Sequence, residues 1–282
     1  MYVISEEISS LNEYIEFVHN YRNNEKTELW YRGQRDNRWI LDATLNREKK
    51  LDIPTLKPGE VVLLKYKNLP NFKYELDKFE EELGDDIPDT YNKFHLMFLG
   101  QHYGLKTPAL DWSTDPLVAL YFALEDFKHE KGIFPVVFIL KPAKLNANGM
   151  ITMKDHLPIC EPLNIDKLSN STFDEWFADI NSTPFSPVPL AVKSGYDISH
   201  RISRQSGVFT LMDTKQPLSY PWIQTNIDGE PFGITVKINP ANVDDMVQHL
   251  ESLNITKETI YGSAHKEWDD ICEKIVKNTP VK

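Results

Sequence analysis

FLGQHYGLKTPALDWSTDPLVALYFALEDF, residues 98–127, is the stretch from which the rest of the chain is read. A His-Tyr-Gly turn and an Asp-Trp-Ser-Thr segment lead here into an apolar helix pattern. Leu117, Leu120, Tyr121 and Leu124 recur at helical spacing, and Ala119, Phe122 and Ala123 fill most of the remaining circumference. The spacing predicts a helix from Pro116 that is buried on most sides and therefore lies inside the domain. Ser113, Thr114 and Asp115 are all N-cap types, and Pro116 suits the first turn, where a missing N–H costs nothing. Polar residues thus gather at the start of a buried helix, where orphan N–H groups and a partial positive charge suit a phosphate or carboxylate. The same cluster also reads as simple capping.

Upstream, residues 1–29 read as a short strand-like start and a helix capped by Ser9 or Ser10, with Leu11, Tyr14, Ile15, Phe17 and Val18 on one face. Leu29 to Tyr31 is strand-like, Arg32-Gly33 interrupts the run, and Trp39-Ile40-Leu41 resumes it. A glycine there lets a ligand or another backbone approach closely, and the Arg32 guanidinium offers a planar fork of donors for phosphate or carboxylate. A surface arginine at a hairpin turn is the alternative. Residues 47–60 are charged and contain Pro54 and Pro58, which predicts a surface excursion able to act as a lid. Helical patterns from Val61 to Glu82 and from Thr90 then lead into the quoted stretch.

Downstream, residues 136–142 (VVFILKP) read as a buried strand. Residues 142–185 read as loops with one helix, and further strands follow near Leu190 to Val192, Gly207 to Met212 and over residues 231–239. Helices are predicted over residues 242–254 and 265–277, with Ile260-Tyr261 a brief strand or turn. Arg201, Arg204 and Gln205 form the most basic, donor-rich patch of the chain. These elements predict an α+β fold with a mixed, mostly antiparallel sheet and flanking helices. Residues 1–29 are a helical lead-in to residues 30–282 within a single domain overall.

A net charge of -11 argues against broad affinity for nucleic acid or an anionic membrane surface. Cys160 and Cys272 belong to no metal-ligand or disulfide spacing, so no metal is expected. No basic start precedes an apolar run and no apolar stretch reaches eighteen residues, which places the protein, as an expectation, in the cytoplasm and off the membrane.

Three pieces align with a known pattern: Trp30-Tyr31-Arg32-Gly33-Gln34; His102-Tyr103-Gly104 through Thr107, Leu110, Asp111 and Ser113 to Ala119 and Phe122-Ala123; and Arg201 through Gln205 and Gly207 to Phe209. Together they resemble the FRG-domain family, named for its aromatic-Arg-Gly motif. The motif order is also similar to that of ADP-ribosyltransferases, in which an arginine contacts NAD, a Ser-Thr segment supports the nicotinamide-ribose pocket and a late acid stabilises the ribosyl cation. That resemblance implies an ADP-ribosyltransferase-like fold, NAD as the nucleotide ligand, and a transferase or NAD-glycohydrolase reaction with a macromolecular target, as in a toxin or phage-defence effector. It assigns Arg32, Asp111, Gln205 and His102 to catalysis, and Tyr31, Arg32, Gly33, Tyr103, Ser113, Thr114 and Arg201 to NAD. The late motif offers Gln205 in place of a glutamate, so Asp111 is the nearest motif acid for the cation. His102 is the candidate acid or base. The alternative is a non-catalytic nucleotide- or macromolecule-binding module using the same pocket.

Overall fold

The computed structural model describes residues 3–47, 69–150, 161–177, 189–212, 231–262 and 266–279. The lid expected at residues 47–60 lies, apart from Arg47, outside the described residues, as do residues 61–68 and Cys160. Strands β1 (Val3–Ile8), β2 (Trp30–Gln34), β3 (Ala109–Ser113), β4 (Val136–Leu140), β5 (Leu163–Asn164), β6 (Leu190–Lys193), β7 (Gly207–Leu211) and β8 (Gly233–Ile238) form one eight-stranded sheet. Its order is β1-β8-β4-β2-β3-β7-β6-β5. The pairs β1–β8 and β5–β6 are parallel and the others antiparallel, the mixed, mostly antiparallel sheet expected. Around it lie α1 (Leu11–Glu25), α2 (Thr44–Arg47), α3 (Leu69–Leu83), α4 (Lys93–His102), α5 (Pro116–Leu124), α6 (Pro142–Met150), α7 (Asn170–Trp176), α8 (His200–Arg204), α9 (Val243–Ser252), α10 (Lys257–Tyr261) and α11 (Lys266–Asn278).

The N-terminal lead-in is part of this sheet, because β1 pairs with β8 at Val3↔Ile234 and Ile8↔Ile238. Helix α1, capped by Ser10, buries Leu11, Tyr14 and Val18, whereas Ile15 is 43% exposed. The Tyr14 hydroxyl donates to the Pro116 carbonyl at 2.9 Å and ties α1 to the first residue of α5.

Strand alternation sorts the core. Tyr31, Val137, Ile139, Val236 and Ile238 meet α1, α5 and α9 on one face. Ala109, Phe209, Leu211, Leu190 and Val192 meet α3, α4 and α7 farther along the same face, while Trp30, Leu110, Trp112, Phe138 and Leu140 face the other way. The helical cover therefore comes in two groups, one over β2, β4 and β8 and one over β3, β7 and β6.

Several expectations are corrected. Arg32-Gly33 does not interrupt a strand: both residues pair within β2, Arg32 with Phe138 and Gly33 with Val137. A Cβ at Gly33 would sit 1.9 Å from the Ala119 carbonyl oxygen and 2.5 Å from the Ala123 nitrogen. The close approach that the glycine permits is thus that of α5, packed directly on the strand. Trp39-Ile40-Leu41 forms no strand; Trp39 and Ile40 are exposed and only Leu41 is buried. Helix α4 starts at Lys93, not Thr90, because Asn92 caps it and His95 completes a reciprocal capping box. Ile260-Tyr261 closes α10, a helix started by a second capping box at Thr256 and Thr259. Residues 142–150, read as loop, form α6, which the buried Asn146 amide fastens to β6 through both the Ala191 carbonyl and the Ala191 N–H.

Candidate active site

The ladder between β2 and β3 has a single register pair, Tyr31↔Ser113, whereas each of these strands makes five pairs with its other neighbour. Beside that pair a side chain takes over from the backbone: Arg32 Nη1 donates to the Asp111 carbonyl at 2.5 Å. At this seam, also where the two groups of helices meet, lies a cleft of about 310 Å³. That volume stands at the lower end of the roughly 300–1,000 Å³ range of small-molecule pockets.

Arg32, Asp111, Ser113 and Gln205 all line this cleft, although 173 positions separate Arg32 from Gln205, and so do Tyr31, Gly33, His102 and Arg201. Tyr103 and Thr114 are not among its lining residues. Tyr103 caps α4 and packs on the core, and the Thr114 N–H donates to the Ser206 carbonyl at 3.0 Å. Nor does the start of α5 offer an open anion site. Asp115, rather than Ser113 or Thr114, is the N-cap, and its own carboxylate accepts from the Leu117 and Val118 N–H groups. The Ser113 hydroxyl donates to the Gln205 carbonyl at 2.7 Å, fastening β3 to the end of α8.

On the α4 side the polar groups satisfy one another. Gln101 Nε2 donates to Asp111 Oδ1 at 2.5 Å, and the Thr107 hydroxyl donates to Gln101 Oε1. Asp111 itself is exposed on β3 rather than buried among loop N–H groups. His102 is held neutral: burial, then the neighbouring Arg201 charge, push its pKa down to about 3. A ring that weakly basic is a neutral hydrogen-bonding group at physiological pH.

The opposite wall brings in residues that the motifs did not single out. Glu125, just past α5, accepts hydrogen bonds from Tyr261 at 2.6 Å and Tyr121 at 3.3 Å. Burial, and in each case Glu125, push both phenols above their ordinary range. Phe122 meets the Tyr261 ring edge-on at 5.9 Å, and the Arg201 guanidinium lies over that ring at 4.7 Å. Among the described residues Arg201 has no carboxylate partner, and its Nε is buried without an acceptor. Trp39, 48% exposed, and Gln34, 4% exposed, also line the cleft. The signal for Glu125 was its place one residue beyond the buried helix; Tyr261 was hidden because only the packing of α10 brings it to the cleft.

Among the described residues no group of three or more His, Cys, Asp or Glu side chains is placed to hold a metal, and no helix is long and apolar enough to cross a membrane.

Residues 27–132 match the family model of the FRG domain, and the chain carries an FRG domain over that span. The match takes in β2, β3 and α5, with the first two motif blocks; Arg201 to Phe209 lies beyond it. No curated protein and no solved structure matches the chain.

Proposed function

We propose that the cleft binds NAD and that the protein is an ADP-ribosyltransferase-like or NAD-glycohydrolase-like enzyme. The observation that carries this reading is the pairing, in one cleft, of an arginine without a carboxylate partner and a carboxylate held by two phenols. Arg201 and Arg32 present donors to the pyrophosphate, and a charge-assisted contact of this kind contributes roughly 1.5–3 kcal/mol. Glu125 supplies the carboxylate that the late motif lacks, with Asp111 as the exposed second acid.

When the glycosidic bond breaks, its electron pair leaves with the nicotinamide nitrogen and positive charge develops on the ribose. A fixed carboxylate stabilises that charge without reorganising. Water then takes the ribosyl carbon and loses a proton, or a target nucleophile does so. The tyrosines hold Glu125 in one orientation, and His102, neutral at working pH, offers hydrogen bonds rather than proton transfer.

Incubation with NAD should release nicotinamide, and Glu125→Gln, which keeps an acceptor for one phenol and turns an N–H donor towards the oxygen of the other, should lower the release rate by about 10²-fold with affinity little changed. Unchanged release in Glu125→Gln would remove the role given to that residue. A non-catalytic nucleotide-binding module is the second reading, favoured by Gln205 standing in the late motif in place of a glutamate. It predicts saturable NAD binding with no nicotinamide release.

A further inference from the structure

Gln34 is the last residue of β2, lines the cleft and is 4% exposed. Its Oε1 is buried and accepts no hydrogen bond among the described residues. Buried amide oxygens are almost always paired, because an unmet acceptor forfeits its hydration for nothing. The residue stands on a strand, so its backbone is fixed before any ligand arrives. Trp39, also lining the cleft and half exposed, offers a flat ring, and the Arg35 guanidinium lies 5.7 Å from the centre of that ring.

We infer that Gln34 is a specificity-determining residue that reads a planar ligand edge carrying an N–H donor beside an acceptor. This deepens the nucleotide reading of the cleft and rests on it. A glutamine amide presents one acceptor and donors side by side, and pairs in bidentate fashion with an edge of opposite pattern. Two groups of NAD carry that pattern: the carboxamide of nicotinamide and the amino edge of adenine. An unmet oxygen in a cleft that is also lined by arginines fits a dinucleotide whose phosphates lie on the arginines and whose flat amide or base reaches Gln34 and Trp39.

The test is calorimetric titration of the wild type and Gln34→Leu with NAD, nicotinic acid adenine dinucleotide and nicotinamide hypoxanthine dinucleotide. The first analogue replaces the carboxamide by a carboxylate, and the second replaces the adenine amino donor by a carbonyl acceptor. The wild type should bind one analogue at least about tenfold more weakly than NAD, and the identity of that analogue names the edge being read. Gln34→Leu should bind NAD and that analogue alike while melting no lower than the wild type, since an apolar side chain replaces an unpaired polar one. Equal affinity of the wild type for all three dinucleotides, or discrimination that survives in Gln34→Leu, would overturn the assignment while leaving the nucleotide reading standing. A large loss of melting temperature in Gln34→Leu would also overturn it, by making the amide structural. If no dinucleotide binds the wild type, the nucleotide reading falls and this assignment falls with it.

Discussion

Two buried polar clusters in this molecule contrast in how completely their groups are paired. Around His95, which is fully buried, every partner is supplied. His95 Nδ1 accepts the Asn92 N–H at 3.0 Å, and Nε2 donates to Asp166 Oδ1 at 3.0 Å. Asp166 also accepts from the Ser194 hydroxyl at 2.7 Å and the Gly195 N–H at 2.8 Å. Asn92 Nδ2 donates to the Ile165 and Leu168 carbonyls. In the cleft, by contrast, Gln34 Oε1 and Arg201 Nε are buried without partners. The first cluster joins α4 to the segments around β5 and β6 and leaves nothing over for a ligand. The second keeps an acceptor and a donor unmet on the walls of a cavity, a cost that binding can offset.

The contrast is broken most forcefully at Asp166. Asp166→Ala strands the buried His95 Nε2–H and takes a partner from the part-exposed Ser194 hydroxyl and the exposed Gly195 N–H, and should cost about 2–3 kcal/mol. In differential scanning calorimetry that is a melting temperature lower by roughly 5–10 °C, while NAD affinity stays within a few-fold. A variant that melts normally but binds poorly would exchange the roles of the two clusters.

A middle-sized effect is expected at His102. Burial, then Arg201, hold its folded pKa near 3, below the ordinary value of about 6.5 for an unfolded chain. Between those values the unfolded state takes a proton that the folded state refuses, so stability is complete above about pH 6.5 and declines as pH falls towards 3. Burial lowers the pKa of His95 as well, against the pull of Asp166, and adds to the same slope. Asp166 acts in a different window: burial opposes its ionisation, yet hydrogen bonds from Ser194, Gly195 and His95 keep its carboxyl below the usual range. Its contribution is present above about pH 3.9 and lost below that. His102→Gln should therefore remove part of the acid sensitivity, narrowing the difference in urea stability between pH 7 and pH 4.5 by about 1–2 kcal/mol, allowing for solvent screening of a partly exposed ring. An unchanged slope would show that His102 is not the group refusing the proton.

The smallest stability change belongs to Arg201. Its guanidinium touches the Tyr261 ring and no carboxylate among the described residues, so Arg201→Ala should lie within about 1 kcal/mol of the wild type in thermal melts. Arg32→Ala should cost more, because Arg32 also bridges the seam to the Asp111 carbonyl. Equal losses in the two variants would erase the distinction between an arginine that holds the strands and one that awaits an anion.

How much of this could be read from residues alone follows from how local each signal is. Helix α5 was legible because apolar side chains occupy nearly its whole circumference. Its N-cap was legible only as one of three candidates, and Asp115 takes the role because Ser113 and Thr114 are drawn off by the carbonyls of Gln205 and Ser206, both 92 positions away. Strand β3 went unread inside the most informative stretch of the chain, because Ala109, Asp111 and Ser113 share one face and do not alternate cleanly in polarity with Leu110 and Trp112. The aromatic-Arg-Gly motif pointed to the cleft for a mixed reason: its glycine serves the packing of α5, and its arginine bridges the seam and lines the cleft. Gln34 stood in the quoted motif, yet only tertiary burial shows that its oxygen is unmet.

The most direct test of the nucleotide cleft is calorimetric titration of NAD into the wild type and into Arg201→Ala, with thermal melts of both. The account predicts saturable one-to-one binding to the wild type and affinity weaker by about 10–100-fold in Arg201→Ala, at nearly unchanged melting temperature. Absence of saturable heat in the wild type, or equal affinity in the two proteins, would contradict it.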